Sequence, residues 1–400
     1  MLRAAWGADA YGPTADRGPT RAVHQGPAAR IAALDFYSCL HPPRDPARAA
    51  SPAVMNALSL AAEAPCLRLR HLSPAALTAA CADLSLLGAA LIAESPQPPQ
   101  PLPLPSAAAA GVPLARVPLA PLAGGPLVEA WQVPAVRDRT QLGAADLAWS
   151  DDVLFGAIDP RRIAPGPLQA TTRATYDALF AALKNTGFRY LLRAWNYMPA
   201  INREAGEPDG LERYRQFNLG RAAAFEAAQA PTHEGAPAAC ALGTASGDLC
   251  VYFLALRRAP EAIENPRQVS AYRYPTQYGP HSPTFSRAAL LRTADAAQLF
   301  ISGTASIVGH QTVHVGDVAA QTRETLANIE AVCAVARTRA GDAQAFAPGT
   351  LAYKAYLRHP ADLPVVRREV TAALGAQADV LYLQADICRA DLLVEIEAVG

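Results

Sequence analysis

The chain has 400 residues, 51% hydrophobic and 18% charged, enough to bury one large core or two to three smaller ones. Its 35 Lys and Arg balance its 35 Asp and Glu, which excludes a surface that as a whole attracts nucleic acid or anionic membrane and leaves any cationic site local. Seven cysteines without CxxC pairs and eight histidines without HExxH or HxE spacing point to reduced thiols and no metal site.

Residues 1–54 are rich in Ala, Arg, Gly and Pro and read as a disordered leader, with Met55 as a second start. Residues 55–130 form an N-terminal segment. Its longest apolar run, "LSLLGAALIAE", falls short of the ~20 residues of a membrane span, so a cytoplasmic protein with no membrane partner is expected. Its proline-rich stretch "ESPQPPQPLPLPSAAAAGVP" reads as an extended connection.

From about residue 140 the sequence reads as a diverged duplication, with copies over 131–265 and 266–400. The first runs through "TTRATYDALFAALKNTG", "FRYLLRAWNYMP", "LERYRQFNLGRAAAFEAAQA" and "CALGTASGDLCVYFLAL". The second runs through "AQTRETLANIEAVCAVARTRAG", "TLAYKAYLRHP", "DLPVVRREVTAALG" and "VLYLQADICRADLLVEIEAV". Each orders helix, strand, helix and a final strand pair. Tyr176, Leu179, Phe180 and Leu183 recur at helical spacing, as do Leu326, Ile329 and Cys333, so each first helix has one face to bury. The fold class is α/β (α+β), mixed sheets with helices packed on one side. Two related units suggest fused pseudo-subunits, a pocket at their interface, and a monomer.

In "DICRADLLVEIEAVG" the second copy carries groups that the first lacks: Cys388 stands against Ala245, Arg389 against Ser246 and Glu395 against Tyr252. The turn residues Ser246, Gly247 and Asp248 make "CRAD" the expected tip of a hairpin with "LLVEIE" as return strand. Glu395 and Glu397 then share one face. For an isolated strand that face is solvated. At a pseudo-subunit seam, desolvation would keep a carboxyl protonated as a general acid. Cys388 taken alone reads as a core residue and Arg389 as a turn residue.

The segments "FISGTASIVGHQTVHVGDVAAQTRETLANIEAV" and "VEIEAV" resemble the reactive-intermediate deaminase (RidA/YjgF-like) superfamily, which implies a pseudo-oligomer built from diverged repeats. The longer set "YLLRAWNYMPAINREAGEPDGLERYRQFNLGRAAAF", "SAYRYPTQYGPHSP", "GTASIVGH" and "LQADICRADLLVEIEA", spanning about 185–400, is similar to the chorismatase family. That resemblance implies a cofactor-free enzyme that removes the enolpyruvyl group of chorismate as pyruvate. Some members yield 3-hydroxybenzoate, some also 4-hydroxybenzoate, and others add water to give a dihydroxycyclohexadiene carboxylate. It places the catalytic glutamate at Glu395. It also puts a cysteine, as in the hydroxybenzoate formers, at Cys388, and a small residue at Ala305. His281 stands where an arginine is more usual.

A dianionic substrate requires cations, and a guanidinium binds a carboxylate with two parallel hydrogen bonds. Tyr214, Phe217, Arg221 and Ala224 share one helical stripe, which carries Arg221 toward the apolar side, to meet the substrate or an internal partner such as Glu212 or Glu226. Arg215 belongs to the same motif. Arg389, Arg273, Tyr274 and Lys354 are further substrate candidates, and "SGTAS" offers backbone N–H groups and the Thr304 hydroxyl near an expected turn. An imine or enamine deaminase and a noncatalytic metabolite-binding module are the other readings.

Overall fold

In the computed structural model of the chain the described residues are 67–81, 85–94, 111–204, 210–293 and 296–400. The expected leader over 1–54, Met55 and most of the proline-rich connection lie outside them. The described elements begin with β1 (Arg68–Leu72), α1 (Pro74–Ala80), β2 (Leu86–Ile92), β3 (Leu114–Val117), β4 (Ala120–Pro121) and β5 (Leu127–Gln132). There follow β6 (Asp138–Leu142), β7 (Ala145–Trp149), β8 (Val153–Ile158), α2 (Leu168–Thr186), β9 (Tyr190–Pro199), α3 (Arg213–Ala227), β10 (Ala238–Thr244) and β11 (Cys250–Leu256). The last group is β12 (Glu261–Ile263), β13 (Ala288–Arg292), β14 (Ala297–Ala305), β15 (Ile307–Val308), β16 (Gln311–Thr312), α4 (Val318–Ala340), β17 (Ala352–Leu357), α5 (Leu363–Leu374), β18 (Asp379–Gln384) and β19 (Val394–Val399).

These strands form three large sheets and the small β15–β16 ribbon. The second sheet has the order β10-β9-β11-β8-β7-β6, and the third repeats it as β18-β17-β19-β14-β13-β12 with β4 added beyond β18. In each, the pair at the β10 or β18 edge is parallel and the neighbouring pairs are antiparallel. Both helices of each copy lie in the same places, α2 and α3 flanking β9 in sequence as α4 and α5 flank β17. The duplication is therefore visible in topology.

The first sheet repeats the pattern again. Its order β3-β2-β5-β1 matches β10-β9-β11-β8 strand for strand, with β2 and β3 parallel and α1 where α2 stands. Sequence patterning reveals two copies, and the structure contains a third, truncated one within what reads as an N-terminal segment. Its central strand β2 is buried at every position, so it lacks the alternation that marks a half-buried strand.

Alternation in the middle strands sorts side chains into two layers. On β11, Val251, Phe253 and Ala255 pack beneath the helices with Tyr176 and Leu179, whereas Cys250, Tyr252 and Leu254 face a core shared by all three sheets. On β19, Val394, Ile396 and Ala398 meet Ile329 and Val366 of the helices. That leaves Glu395 and Glu397 pointing inward, which is how a terminal strand comes to carry carboxylates among aliphatic residues. The helices end cleanly: α2 and α4 stop at Gly187 and Gly341, both left-handed, and Asp317 caps the start of α4 through Ala320 N.

The sheets meet at three seams arranged in a ring. Gly88 of β2 sits beneath the Phe155 ring of β8, joining the first sheet to the second. Ala239 N donates to Ser302 Oγ at 2.9 Å and Ser286 N to Pro237 O at 3.0 Å, joining the second to the third. His71 of β1 meets Asp379 of β18 at 3.2 Å, closing third to first. At the centre, Tyr252 stands opposite Trp195, Glu397 opposite Lys354 and Glu129 opposite Ala90. Tyr252 is thus the counterpart of Glu397 rather than of Glu395, and the positions equivalent to Glu395 are Cys250 and Leu127.

Candidate active site

"CRAD" is not the tip of a hairpin. β17 lies between β18 and β19, so residues 385–393 cross over it, as the loop bearing Gly247 crosses β9. The turn residues signal a reversal but not whether the strands on either side are neighbours. Arg358 fastens the crossover: its Nε donates to Leu392 O at 2.9 Å and its Nη2 to Ile387 O and Arg389 O at 3.1 and 3.0 Å.

Between this loop, β14 and the start of α3, at the seam of the second and third sheets, lies a cavity of about 430 Å³, within the range of small-molecule sites. Tyr214, Arg215, Tyr274, Ala305, Cys388, Arg389 and Glu395 all line it. A narrower chamber of about 40 Å³ continues behind Glu395 and Cys388, lined also by Asn196, Asn218, Cys240 and Arg221.

Glu395 forms the wall between the two spaces. It is 4% exposed and, among the described residues, makes no hydrogen bond or ion pair. Burial, then the charge of Glu397, push its carboxyl up to about 8 despite Arg193 and Arg287. Gly303 makes room for it: a Cβ there would stand 2.0 Å from Glu395 Oε1. The ladder between β14 and β19 slips between Ile301 and Thr304, and the irregularity brings this glycine under the carboxyl.

Glu397, two residues along the same face, has the opposite fate. It accepts from Arg193 Nη2 at 2.5 Å and Trp195 Nε1 at 2.8 Å, and pairs with Lys354 Nζ at 2.7 Å. Burial alone would raise it, but Lys354 and Arg193 outweigh burial and hold it below the usual carboxylate range. Cys388 is a neutral thiol at physiological pH, pushed up to about 12 by burial and then by Glu395.

The guanidinium groups are held by backbone and aromatic partners that leave donors free. Arg389 stacks on Tyr278 at 3.9 Å and donates through Nη1 to His310 O at 2.9 Å, while its buried Nη2 has no partner. Arg221 is 3% exposed; its Nε donates to Tyr176 Oη at 2.9 Å and its Nη1 to Thr284 O, with Nη2 unpartnered. Neither Glu212 nor Glu226 pairs with it. Arg215 lies 3.5 Å from Glu212 and reaches Gln277 O at 3.4 Å.

Three expected residues lie elsewhere. Lys354 is at the molecular centre, paired with Glu129 at 2.9 Å as well as with Glu397. Its strand alternation was legible, but the third sheet that supplies Glu129 was not. Arg273 is exposed and 3.8 Å from Glu234. Thr304 donates its hydroxyl to Ser302 O at 2.8 Å, because "SGTA" is part of β14 rather than a turn. His281 is exposed and bonds Ser282 O. The sequence reading overlooked Arg287, Tyr278 and Gly303, which all line the cavity. Arg287 donates to Tyr274 Oη and Val269 O, both at 2.8 Å. Preceding an apolar strand, it carries no local signal of that role.

A seam cavity with three arginines at its walls and a buried, donor-free carboxyl on its inner side has the make-up of an enzyme site for a small anion. A family model described as "Chorismatase FkbO/Hyg5-like, N-terminal" matches residues 129–255. The 3-hydroxybenzoate synthase of Streptomyces hygroscopicus is 40% identical over 283 residues, 68% of this chain and 81% of that protein. A chorismatase of Streptomyces rapamycinicus is 40% identical over 276 residues with the same coverage. A chorismatase crystal structure superposes with TM-score 0.72 at 31% identity, covering 83% of this chain and 98% of that one. The chain belongs to the chorismatase family. No helix among the described residues is long and apolar enough to cross a membrane.

Proposed function

We propose that the chain converts chorismate to 3-hydroxybenzoate, with or without 4-hydroxybenzoate, and pyruvate, with Glu395 as general acid. The observation that carries this reading is the Glu395 carboxyl, buried without a donor and raised to about 8, on a cavity bounded by Arg215, Arg287 and Arg389. At neutral pH it holds a proton to give, and the arginines supply cations for two substrate carboxylates.

The proton passes from Glu395 to the enol-ether methylene, leaving an oxocarbenium ion and a carboxylate on the enzyme. The neighbouring ring hydroxyl attacks that cation to form a cyclic ketal. Rupture of the hydroxyl's own C–O bond to the ring leaves the ether oxygen in place as 3-hydroxybenzoate, rupture of the original ether C–O bond leaves 4-hydroxybenzoate, and in either case the displaced oxygen departs in pyruvate. Loss of a ring proton aromatises the product and returns Glu395 to its acid form. Substrate and the two products balance without water. Attack by water instead would give the dihydrodiol. Cys388, neutral and beside Glu395, occupies space next to the reacting groups and does not serve as a thiolate base. Arg389 and Arg215 act as carboxylate partners from the crossover loop and α3, Tyr274 and Tyr214 as walls of the cavity, Ala305 as the small residue opposite Glu395 in the ladder, and Arg221 as the cation of the inner chamber. The protein works as a monomer, since the chain supplies both sides of the seam.

The test is incubation of purified protein with chorismate, with separation of products and assay of pyruvate. Equimolar pyruvate and hydroxybenzoate are expected. A dihydrodiol would overturn the product assignment, and unchanged chorismate would overturn the reading.

A further inference from the structure

The centre of the molecule holds a buried ion cluster that the proton-transfer scheme does not use. Glu129 from the first sheet, Arg193, Trp195 and Tyr252 from the second, and Lys354 and Glu397 from the third meet where the sheets converge, all at most 4% exposed. Lys354 Nζ bridges Glu129 and Glu397 at 2.9 and 2.7 Å, and Tyr252 Oη donates to Glu129 at 2.8 Å. At its outer end His71 lies 3.9 Å from Glu129 and 3.2 Å from Asp379. Such clusters are costly to bury, and apolar residues of similar size commonly serve stability as well or better. Its inner end is two residues from Glu395 on one strand face, and Arg193 Nη1 also donates to Ile301 O at 3.0 Å, at the ladder slip that sets Gly303 beneath Glu395.

We propose that this axial cluster belongs to the catalytic apparatus: Glu397, fixed as an anion by Arg193, Lys354 and Trp195, is a positioning residue whose charge keeps the proton on Glu395. The groups facing the two carboxylates are few. Around Glu395 they are Arg193 from β9, Cys240 from β10, Tyr214 and Arg221 from α3, Arg287 ahead of β13, and Cys388 and Arg389 of the crossover loop. Around Glu397 they are Lys354 and Tyr356 from β17, Arg193 and Tyr197 from β9, Cys240 from β10, Tyr252 from β11 and Glu129 from β5. Arg193 and Arg287 favour ionised Glu395, and Glu397 opposes them at the closest sequence distance. Withdrawing its charge leaves two cations to pull the proton off.

The inference rests on Glu395 as the acid, and its test needs no substrate. Infrared spectra of protein labelled with ¹³C-glutamate, with Glu395→Gln subtracted, report which buried carboxyl is protonated. At pH 7 the wild type should show a buried acid band that is absent in Glu395→Gln, with Glu397 ionised. Glu264, also raised by burial, contributes a band that Glu264→Gln removes; a further buried acid band that persists in Glu395→Gln and is lost in Glu397→Gln would overturn the proposal. In Glu397→Gln the Glu395 midpoint should fall by about one pH unit, and the basic limb of kcat should follow. In Lys354→Met it should rise. Glu397→Asp should keep the midpoint while lowering kcat. Folded variants with lower kcat and an unmoved midpoint would make the cluster structural only. Failure to turn over chorismate while the band behaves as expected would sink the proposed reaction and leave the electrostatic link standing.

Discussion

Glu395 is held in a form that costs stability and suits the proton transfer proposed for it. Folding raises its carboxyl to about 8 from an ordinary 4.5, so between those values the folded chain binds a proton that the unfolded chain has released. Stability from this group therefore falls as pH rises through that window, by at most ~1.4 kcal/mol per unit. Glu395→Gln removes the penalty. The variant should melt at higher temperature than wild type at pH 7 to 8, with the difference vanishing below pH 4.5, while turnover of chorismate falls by ~10²–10⁴-fold. Equal melting at all pH values would show that the carboxyl is not protonated on folding. Cys388→Ala opens space beside the same group and should divert product toward the dihydrodiol, read as the ratio of dihydrodiol to hydroxybenzoate at constant pyruvate. At this scale much was legible: a glutamate and a cysteine absent from the other copy marked the place. Lys354 was not, because its partner Glu129 comes from a strand 225 residues away, and no local pattern distinguishes a cation aimed at substrate from one aimed at a buried glutamate.

Two elements set the acid in place, the slipped ladder of β14 and the crossover ahead of β19. A methyl group on residue 303 would collide with the Glu395 carboxyl, so Gly303→Ala must displace the acid or the strand. Activity should fall by at least 10-fold with modest loss of stability, about 1–3 kcal/mol for an overpacked site; full activity would mean that Glu395 occupies another position when substrate binds. Arg358 carries three of the crossover's carbonyls and pairs with Asp386 at 2.8 Å. Its replacement by Met should raise KM for chorismate more than it lowers kcat, since Arg389 hangs from that loop. The helices and most strands were legible from periodicity, because Tyr176, Leu179 and Leu183 repeat at helical spacing and are all buried. The crossover was misread as a hairpin because turn residues reveal where a chain reverses and nothing about which strand slips in between.

Three sheets that share a strand order make a ring of three seams, and the sequence pattern shows two of the three sheets. The hidden one matters to the whole, since it supplies both Glu129 at the centre and the His71–Asp379 contact that closes the ring. Burial alone would lower His71, but Asp379 and Glu129 outweigh it and raise it to about 9 from 6.5. Its contribution to stability is therefore complete below pH 6.5 and lost as pH rises through 9. The melting temperature of wild type should exceed that of His71→Gln most at pH 6, with the gap closing near pH 9.5. A gap independent of pH would mean that the imidazole is neutral and only fills space.

Among the described residues one seam carries the proposed acid; Cys250 and Leu127 occupy the equivalent positions in the other two sheets. A reaction centre shared by separate subunits is subject to mass action and dissolves on dilution. Here the two walls of the centre are tied by a continuous backbone, so the local concentration of one for the other is fixed by the chain. Specific activity should then stay flat as enzyme is diluted from micromolar to picomolar. Tight-binding titration should count one centre per chain. Away from the central ion cluster, the other two seams hold no part of the proposed site and can drift toward pure packing without cost to turnover.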